Sequence, residues 1–210
     1  MANTIITISR EYGSGGHKIG HLVAETLKIP FYDKQIIEET AKKSGFTPEF
    51  VAEHEEKLTN SILYSFALGA IYGIAYPQKP QMKELPVAEQ IFLAQKTVIE
   101  ELASSACVIV GRCADYILKD NPNVLKVFIY ADPIVRRRRA IEEYDCAEEY
   151  IEEIVKQRDK MRRIHYESYT VNQWGKKENY HLMLDSGAIG IEGCVSLICH
   201  ASECFQPKSR

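Results

Sequence analysis

Apolar residues in this chain occur in two alternating patterns, short continuous runs and longer stretches with helical spacing. Continuous runs rich in β-branched and aromatic residues predict strands, and a run that is apolar on both faces predicts a buried strand. The predicted strands are Ile5–Ile8, Ile29–Tyr32, Ala106–Val110, Val124–Tyr130 and His181–Leu184. Helices are predicted where apolar residues recur every three or four positions, at about residues 17–27, 87–104, 133–144, 147–168 and 191–204. Two further helix starts are predicted from capping residues, one after Asp33 and one at Thr47-Pro48-Glu49.

This alternation of strands and helices predicts an α/β layered fold with a parallel sheet. In such sheets, ligands bind at the carboxyl ends of the strands. The residues that end the predicted strands are polar or charged, unlike the strand interiors: Ser9–Arg10, Asp33, Gly111–Arg112, Asp132 and Asp185. A functional site is therefore predicted at this edge of the sheet.

Composition and charge narrow the class of protein. The chain has 210 residues, 45% of them hydrophobic and 26% charged, which is typical of one globular domain with a substantial core. Its net charge is −3, whereas a domain that coats nucleic acid is strongly basic, so no nucleic acid partner is expected. The first residues lack the pattern of a signal peptide and no segment is apolar enough to span a bilayer, so a cytoplasmic protein without membrane contact is expected. The sequence carries no indication of an oligomeric state.

A glycine-rich loop, Arg10-Glu-Tyr-Gly-Ser-Gly-Gly-His-Lys18, follows the first predicted strand and leads into a helix. Glycines allow a tight turn that directs several backbone N–H groups inward, and the helix start adds positive partial charge, so the loop is predicted to bind phosphate. The spacing departs from the P-loop pattern G-x-x-x-x-G-K-[ST], because Glu11 falls at the first glycine when Gly16 is the second. It also departs from the dinucleotide pattern G-x-G-x-x-G, because Lys18 falls at the third glycine. Asp33 would suit a ribose, which keeps a dehydrogenase as the weaker alternative.

Arginines cluster on the two charged helices in the second half of the chain. Arg136 and Arg139 lie three positions apart and share a helix face, and Arg158 and Arg162 lie four apart on the next helix. Guanidinium groups bind phosphate oxygens in pairs and neutralise charge, which phosphoryl transfer needs more than dinucleotide binding does. The alternative is that these arginines form solvated ion pairs with nearby glutamates. Their position after the strand that should neighbour the glycine loop favours the functional interpretation.

Several segments together resemble the cytidylate kinase-like family, relatives of the bacterial cytidylate kinases among the nucleoside monophosphate kinases. They are Ile6–Gly16, Pro30–Lys34, Val110–Arg112, Arg136-x-x-Arg139 and a later group from Arg162 to Leu182. The resemblance implies a three-layer P-loop kinase-like fold, with a five-stranded parallel sheet flanked by helices in one domain of residues 1–210. It implies a helical acceptor-binding segment at about residues 45–86 and a lid at about residues 136–175. The implied reaction is transfer of the γ-phosphoryl group of ATP to a nucleoside monophosphate, CMP- or dCMP-like, with Mg²⁺.

The resemblance also implies roles for individual positions. The implied catalytic residues on the two sides of the lid are Arg136, Arg139, Arg158 and Arg162, and the implied acceptor-binding residues are Asp33 and Arg112. The implied ATP phosphate-binding residues are Gly13, Ser14, Gly15, Gly16, His17 and Lys18, and Arg10 is predicted to join them as a nearby cation. No protein ligand for a metal is assigned, since the six cysteines include no C-x-x-C pair.

The chain departs from the pattern of the proper cytidylate kinases at two places. Their P-loop lysine aligns with Gly16, and the carboxylate that precedes their Gly-Arg element is replaced by Val110. The candidates for the missing cation are Lys18, His17 and Arg10. Two alternatives to a cytidylate-like kinase therefore stay open: a kinase for another small-molecule acceptor, and a catalytically inactive nucleotide-binding regulatory protein.

Overall fold

Two compact units make up the chain, of which the computed structural model describes residues 4–53, 85–144 and 147–205. The first unit comprises Met1–Asp33 and Glu100–Arg210 and contains every candidate site residue named above, and the second is Lys34–Ile99. The predicted acceptor-binding segment at residues 45–86 belongs to the second unit, and its residues 54–84 lie outside the described residues. Residues 145 and 146 of the predicted lid also lie outside them.

A five-stranded parallel sheet forms the first unit, which confirms the predicted fold class. Its strands are β1 (Ile5–Arg10), β2 (Phe31–Tyr32), β3 (Cys107–Val110), β4 (Val124–Tyr130) and β5 (Leu182–Asp185), in the order β2-β3-β1-β4-β5. In the register, Ile5 of the central strand β1 lies beside Cys107 of β3 and Val124 of β4. These three strands are buried along most of their length, which explains why their sequences are mainly apolar.

Helices connect the strands at nearly the positions that the periodicity predicts. They are α1 (Gly16–Leu27), α2 (Lys34–Ser44), α3 (from residue 48, described to residue 53), α4 (Val87–Leu102), α5 (Ala114–Ile117), α6 (Pro133–Tyr144), α7 (Ile151–Tyr169), α8 (Ser186–Ile189) and α9 (Ile191–Cys204). Two of them, α5 and α8, were not predicted, because a helix of four residues is too short to show a period. Among the described residues, no helix combines the length and apolar character needed to cross a membrane.

The core of the first unit positions the glycine loop. Ile8 of β1, Ile19 and Val23 of α1 and Ile198 of α9 belong to one apolar cluster and are fully buried. Burial of each such side chain stabilises the fold by about 1.5–3 kcal/mol relative to exposure. The carboxyl end of β1 and the first turn of α1 are therefore fixed relative to each other, with the loop between them.

Candidate functional site

Residues 11–15 form a tight loop between β1 and α1. Gly13 and Gly15 both have a φ of +75°, in the left-handed region that glycine adopts without steric cost. Ser14 lies between them, fully buried, and its hydroxyl donates a hydrogen bond to the Glu11 carbonyl at 2.8 Å. α1 begins directly after Gly15, and no side chain of the described residues caps it. The first N–H groups of α1 therefore lack partners within the helix and are available to an anion.

Arg136 of α6 binds the first half of the loop. Its Nε donates to the Tyr12 carbonyl at 2.8 Å, and its Nη2 donates to Asp159 Oδ2 on α7. Its Nη1 lies 3.2 Å from Glu11 Oε2, and Asp159 Oδ1 accepts a hydrogen bond from the Tyr12 N–H at 2.7 Å. The Arg136 side chain is 9% exposed. One buried ionic network thus connects the loop to two helices.

Arg139 binds the second half of the loop. Its Nη1 donates to the Ser14 carbonyl at 3.0 Å and to Ser186 Oγ at 2.8 Å, and its Nη2 donates to the Ser186 carbonyl at 2.9 Å. Ser186 begins α8, is fully buried, and donates from its hydroxyl to the Ser14 carbonyl at 2.6 Å. Arg136 and Arg139 therefore share a face, as their spacing predicts, and both contact backbone carbonyls of the loop.

Arg162 and Arg158 lie on α7 in different environments. Arg162 is partly buried, donates from Nη1 to the Arg10 carbonyl at 3.1 Å, and lies with its guanidinium carbon 5.5 Å from the centre of the Tyr12 ring. Arg158, one turn earlier, is exposed. Arg162 thus approaches the loop, and the catalytic role of Arg158 stays a prediction.

A cavity of about 160 Å³ lies in front of the loop. Its lining consists of loop residues, the first turn of α1 and two arginines: Arg10, Glu11, Tyr12, Gly13, Gly15, Gly16, His17 and Arg162. Pockets for small molecules commonly have volumes of about 300–1,000 Å³. The cavity therefore has the size of the phosphate part of a ligand rather than of a whole nucleotide.

Glu11 is the carboxylate of this lining. Burial raises its pKa, and the charge of Arg136 opposes that shift. Its Oε2 accepts a hydrogen bond from the Ala131 N–H at 3.3 Å, so the side chain turns toward the protein. Among the described residues, no group of three His, Cys, Asp or Glu side chains could hold a metal ion. A Mg²⁺ ion here would depend chiefly on phosphate oxygens of a ligand, as this ion commonly does.

A second charged group lies after β2 and β3. Arg112 Nη1 donates to Asp33 Oδ1 at 2.6 Å, and His17 Nε2 lies 3.2 Å from Asp33 Oδ2. Burial by itself would raise the pKa of Asp33, but the hydrogen bond with His17 and the charges of Arg112 and Arg10 outweigh it and hold that pKa well below its usual range. Asp33 is therefore ionised at neutral pH, and it pairs with the other residue predicted to bind the acceptor.

The turn after β3 has an unusual backbone. Gly111, Arg112 and Cys113 have successive φ values of +77°, +55° and +55°. A residue other than glycine in the left-handed region costs on the order of 1–3 kcal/mol, and such strain collects at functional sites. Here it directs Arg112 toward Asp33.

A buried carboxyl lies just beyond that turn. Asp115 of α5 is 3% exposed, and its Oδ2 accepts a hydrogen bond from the Tyr166 hydroxyl of α7 at 2.7 Å. Burial raises the pKa of Asp115. Hydrogen bonds from backbone N–H groups and from the Tyr166 hydroxyl oppose that shift. This contact connects α7, which carries Arg162, to the turn that carries Arg112.

Two of the predicted phosphate-binding residues do not line the cavity. The buried Ser14 hydroxyl bonds within the loop, and Lys18 is exposed on α1. Two residues that hold the loop, Asp159 and Ser186, were not among the predicted site residues. Asp159 is one of many charged residues on α7, and no sequence pattern distinguishes it from the others. Ser186 directly follows Asp185 at the end of a predicted strand, and that position could have identified it.

Comparisons with known proteins agree with the predicted family and fold. A family model described as the cytidylate kinase-like family matches residues 5–188. The crystal structure of an uncharacterized protein from Eubacterium ventriosum is similar with a TM-score of 0.68 and 25% sequence identity, over 95% of this chain and 98% of that one. The structure of shikimate kinase from Bacteroides thetaiotaomicron is similar with a TM-score of 0.50 and 14% identity, over 95% of this chain and 98% of that one, which concerns the fold alone. A search of curated proteins found no match.

The family and the fold together support a nucleotide-dependent kinase in general, and they leave the acceptor open. The family model extends over nearly the whole of the described first unit, from β1 to α8. On this basis, the chain belongs to the cytidylate kinase-like family.

Proposed function

We propose that the protein transfers the γ-phosphoryl group of ATP to a nucleoside monophosphate, with a CMP- or dCMP-like acceptor. The observation that carries the proposal is the cavity between the glycine loop and Arg162, next to the Asp33–Arg112 pair. The glycine loop follows β1, and Asp33 and Arg112 follow the neighbouring strands β2 and β3 of the same sheet. His17 lines the cavity and also lies 3.2 Å from Asp33. A donor site beside an acceptor site is what transfer between two phosphate compounds requires.

The glycine loop binds the donor phosphates in this proposal. The N–H groups of Glu11, Tyr12 and Ser14 bond within the protein, so the donors for the β- and γ-phosphates are those of Gly13, Gly15 and the first turn of α1. Arg162 adds a positive charge. Arg136 and Arg139 act as positioning residues, because they bind the carbonyls of Tyr12 and Ser14 and so keep the N–H groups directed at the ligand. Such preorganised dipoles stabilise charge without reorganisation during the reaction.

The acceptor side favours an acceptor that is already ionised. Arg112 would bind the acceptor phosphate with its fork of donors. A hydroxyl acceptor would need a base to remove its proton, and a group acts best as a base when its pKa lies near the working pH. Asp33 is a weak base, because its pKa lies well below the usual range. This supports a phosphate acceptor over a hydroxyl compound.

In the transfer step, an oxygen of the acceptor phosphate attacks the γ-phosphorus. The bond from that phosphorus to the bridging oxygen of the β-phosphate breaks, and ADP leaves with the electron pair. Arg162, joined by Arg158 if the predicted lid closes, neutralises the charge that spreads over the transferred group. Bound through the donor phosphates, Mg²⁺ would supply further neutralisation.

The test is an assay of ADP release with purified protein, ATP and Mg²⁺. CMP, dCMP, each other nucleoside monophosphate and a panel of hydroxyl compounds serve as acceptors. A Gly13→Ala variant is the control for contaminating kinases: a Cβ at position 13 would overlap the Arg136 carbonyl, and φ is +75° there. The variant should therefore lose activity that belongs to this protein.

Turnover with CMP or dCMP that Gly13→Ala lacks would support the proposal. Turnover only with other acceptors would replace it with a different small-molecule kinase. If ATP raises the melting temperature but no acceptor gives ADP, the protein is a nucleotide-binding protein without catalysis. Each outcome thus corresponds to one of the functions that the sequence leaves open.

A further inference from the structure

The phosphate loop of this protein has glycine where P-loop kinases carry a lysine. The P-loop lysine reaches the β- and γ-phosphates and supplies a positive charge there. At the aligned position, Gly16 has no side chain, and its φ is not in the left-handed region. The backbone conformation therefore does not require glycine at this position, and another cause must exist.

That cause is the side chain of Arg10, the last residue of β1. A Cβ atom on Gly16 would lie 2.5 Å from Arg10 Cβ and 2.9 Å from Arg10 Cγ. Cβ atoms essentially never come so close to another carbon, and backbone-proximal atoms cannot move away as the end of a long side chain can. The Arg10 side chain thus crosses the space that a lysine at position 16 would enter.

A second glycine receives the other end of this side chain. A Cβ atom on Gly111, in the turn after β3, would overlap Arg10 Nη1 and lie 3.1 Å from Arg10 Cζ. The guanidinium group therefore lies against the Gly111 backbone, and it is close enough to Asp33 to lower the pKa of that carboxyl. Arg10 extends from the phosphate loop to the Asp33–Arg112 pair.

The other two candidate cations are placed differently. Lys18 is exposed on α1 and is not among the described residues that line the cavity. His17 lines the cavity, but its Nε2 lies 3.2 Å from Asp33 Oδ2. Arg10 lines the cavity and also reaches the acceptor side.

We propose that Arg10 replaces the P-loop lysine, and that its guanidinium binds the β- and γ-phosphate oxygens of ATP from the strand instead of from the helix. Positions 16 and 111 require glycine because the Arg10 side chain passes over Gly16 and its guanidinium group lies against Gly111. This inference rests on the proposed function, since it names the cation of the same donor site. A planar guanidinium can bind oxygens of two phosphates at once, which a lysine ammonium does less well.

The experiment compares Arg10→Lys with Arg10→Gln. Both side chains cover Gly16, but only lysine keeps the charge. Calorimetry measures the Kd for ATP and for inorganic tripolyphosphate, which isolates the phosphate part of the ligand, and ADP release measures turnover. Loss of a charge-assisted contact should weaken both ligands about 10- to 100-fold in Arg10→Gln, while Arg10→Lys should stay within about tenfold of the unchanged protein. Arg138→Gln is the matched control, since Arg138 is exposed on α6, and it should change neither Kd.

The outcomes separate this inference from the proposed function. If the unchanged protein releases ADP and Arg10→Gln binds tripolyphosphate as well as Arg138→Gln does, the role of Arg10 is wrong while the proposed function stands. If the unchanged protein binds neither ATP nor tripolyphosphate, both fail. If circular dichroism shows that Arg10→Gln does not fold, the affinities of Lys18→Gln and Arg10→Lys for tripolyphosphate are compared instead. A greater loss of affinity in Lys18→Gln than in Arg10→Lys would overturn the inference, and a smaller loss would support it.

Discussion

Replacing Arg136 by alanine should destabilise the protein because Glu11 and Asp159 lose the cation that contacts both of them. Asp159 keeps the more distant Arg162 Nη1, at 4.0 Å. Arg136 Nη2 bonds to Asp159, Nη1 lies 3.2 Å from Glu11, and Nε bonds to the Tyr12 carbonyl at 2.8 Å. The arginine side chain is 9% exposed, and those of Asp159 and Glu11 are 15% and 26% exposed. Breaking a buried ion pair by removing one partner costs about 3–5 kcal/mol. Because the two carboxylates keep some contact with water, the lower end, about 3 kcal/mol, is expected here.

The neighbouring Arg137 provides the control. It pairs with Glu152, and these side chains are 35% and 52% exposed, so Arg137→Ala should cost no more than about 1 kcal/mol. For a chain of this size, each kcal/mol lowers the melting temperature by about 2–4 °C. We therefore expect a decrease of about 6–12 °C for Arg136→Ala and at most about 4 °C for Arg137→Ala.

The assay is thermal unfolding followed by circular dichroism at pH 7, supported by urea titration. Arg136→Lys should fall between the unchanged protein and Arg136→Ala, because a single ammonium keeps the charge but cannot serve all three acceptors. If Arg136→Ala melts within 2 °C of Arg137→Ala, about the smallest shift expected from 1 kcal/mol, the network around Arg136 does not stabilise the loop as argued.

Three further substitutions test the charged groups of the site. Arg162→Ala should lower turnover about 10³- to 10⁵-fold, the range for arginines that stabilise phosphoryl transfer; a loss below tenfold in initial-rate ADP release would remove Arg162 from the mechanism. Asp33 has a lowered pKa in the folded protein, so its stabilising contribution is present above its unfolded pKa of about 3.9 and disappears as pH falls below that value. Urea titrations from pH 3 to pH 7 should show the difference between Asp33→Asn and the unchanged protein shrinking at the acid end. Asp115 has a raised pKa, so stability should fall as pH rises above about 3.9, and Asp115→Asn should gain relative stability from pH 4 to pH 7; a difference independent of pH would contradict the burial argument.

The sequence predicted the centre of the sheet well because β1, β3 and β4 are buried along most of their length. Val124–Tyr130 is apolar except for Lys126 and corresponds to β4 without adjustment, and α9 likewise ends at Cys204 as predicted. β2 was predicted as four residues and pairs over two, Phe31 and Tyr32. At an edge strand, the extent of pairing depends on the neighbouring strand, and no local pattern records it.

The sequence indicated which arginines contribute to the site, but it could not indicate which residues they contact. Helical spacing places Arg136 and Arg139 on one face, and both do contact the loop. Their neighbour Arg137 instead forms an exposed pair with Glu152, as the alternative of solvated ion pairs predicts. The partner of Arg136, Asp159, lies 23 positions further along the chain. Sequence pattern cannot select it among the acids of α7, because only the packing of α6 against α7 brings it near.

Arg136 and Arg139 both contact the loop, but only Arg136 is paired with carboxylates of the described residues. We therefore expect the two arginines to have different roles. Arg136 is matched by Glu11 and Asp159, so its removal acts mainly on stability. Arg139 donates to two carbonyls and a hydroxyl, and no carboxylate of the described residues pairs with it. Its charge therefore remains close to the Ser14 peptide, in a partly buried region where the effective dielectric constant is low. In the proposed function, the charge of Arg139 therefore adds to the attraction of the loop for a polyphosphate, whereas Arg136, paired with two carboxylates, chiefly holds the loop in its shape.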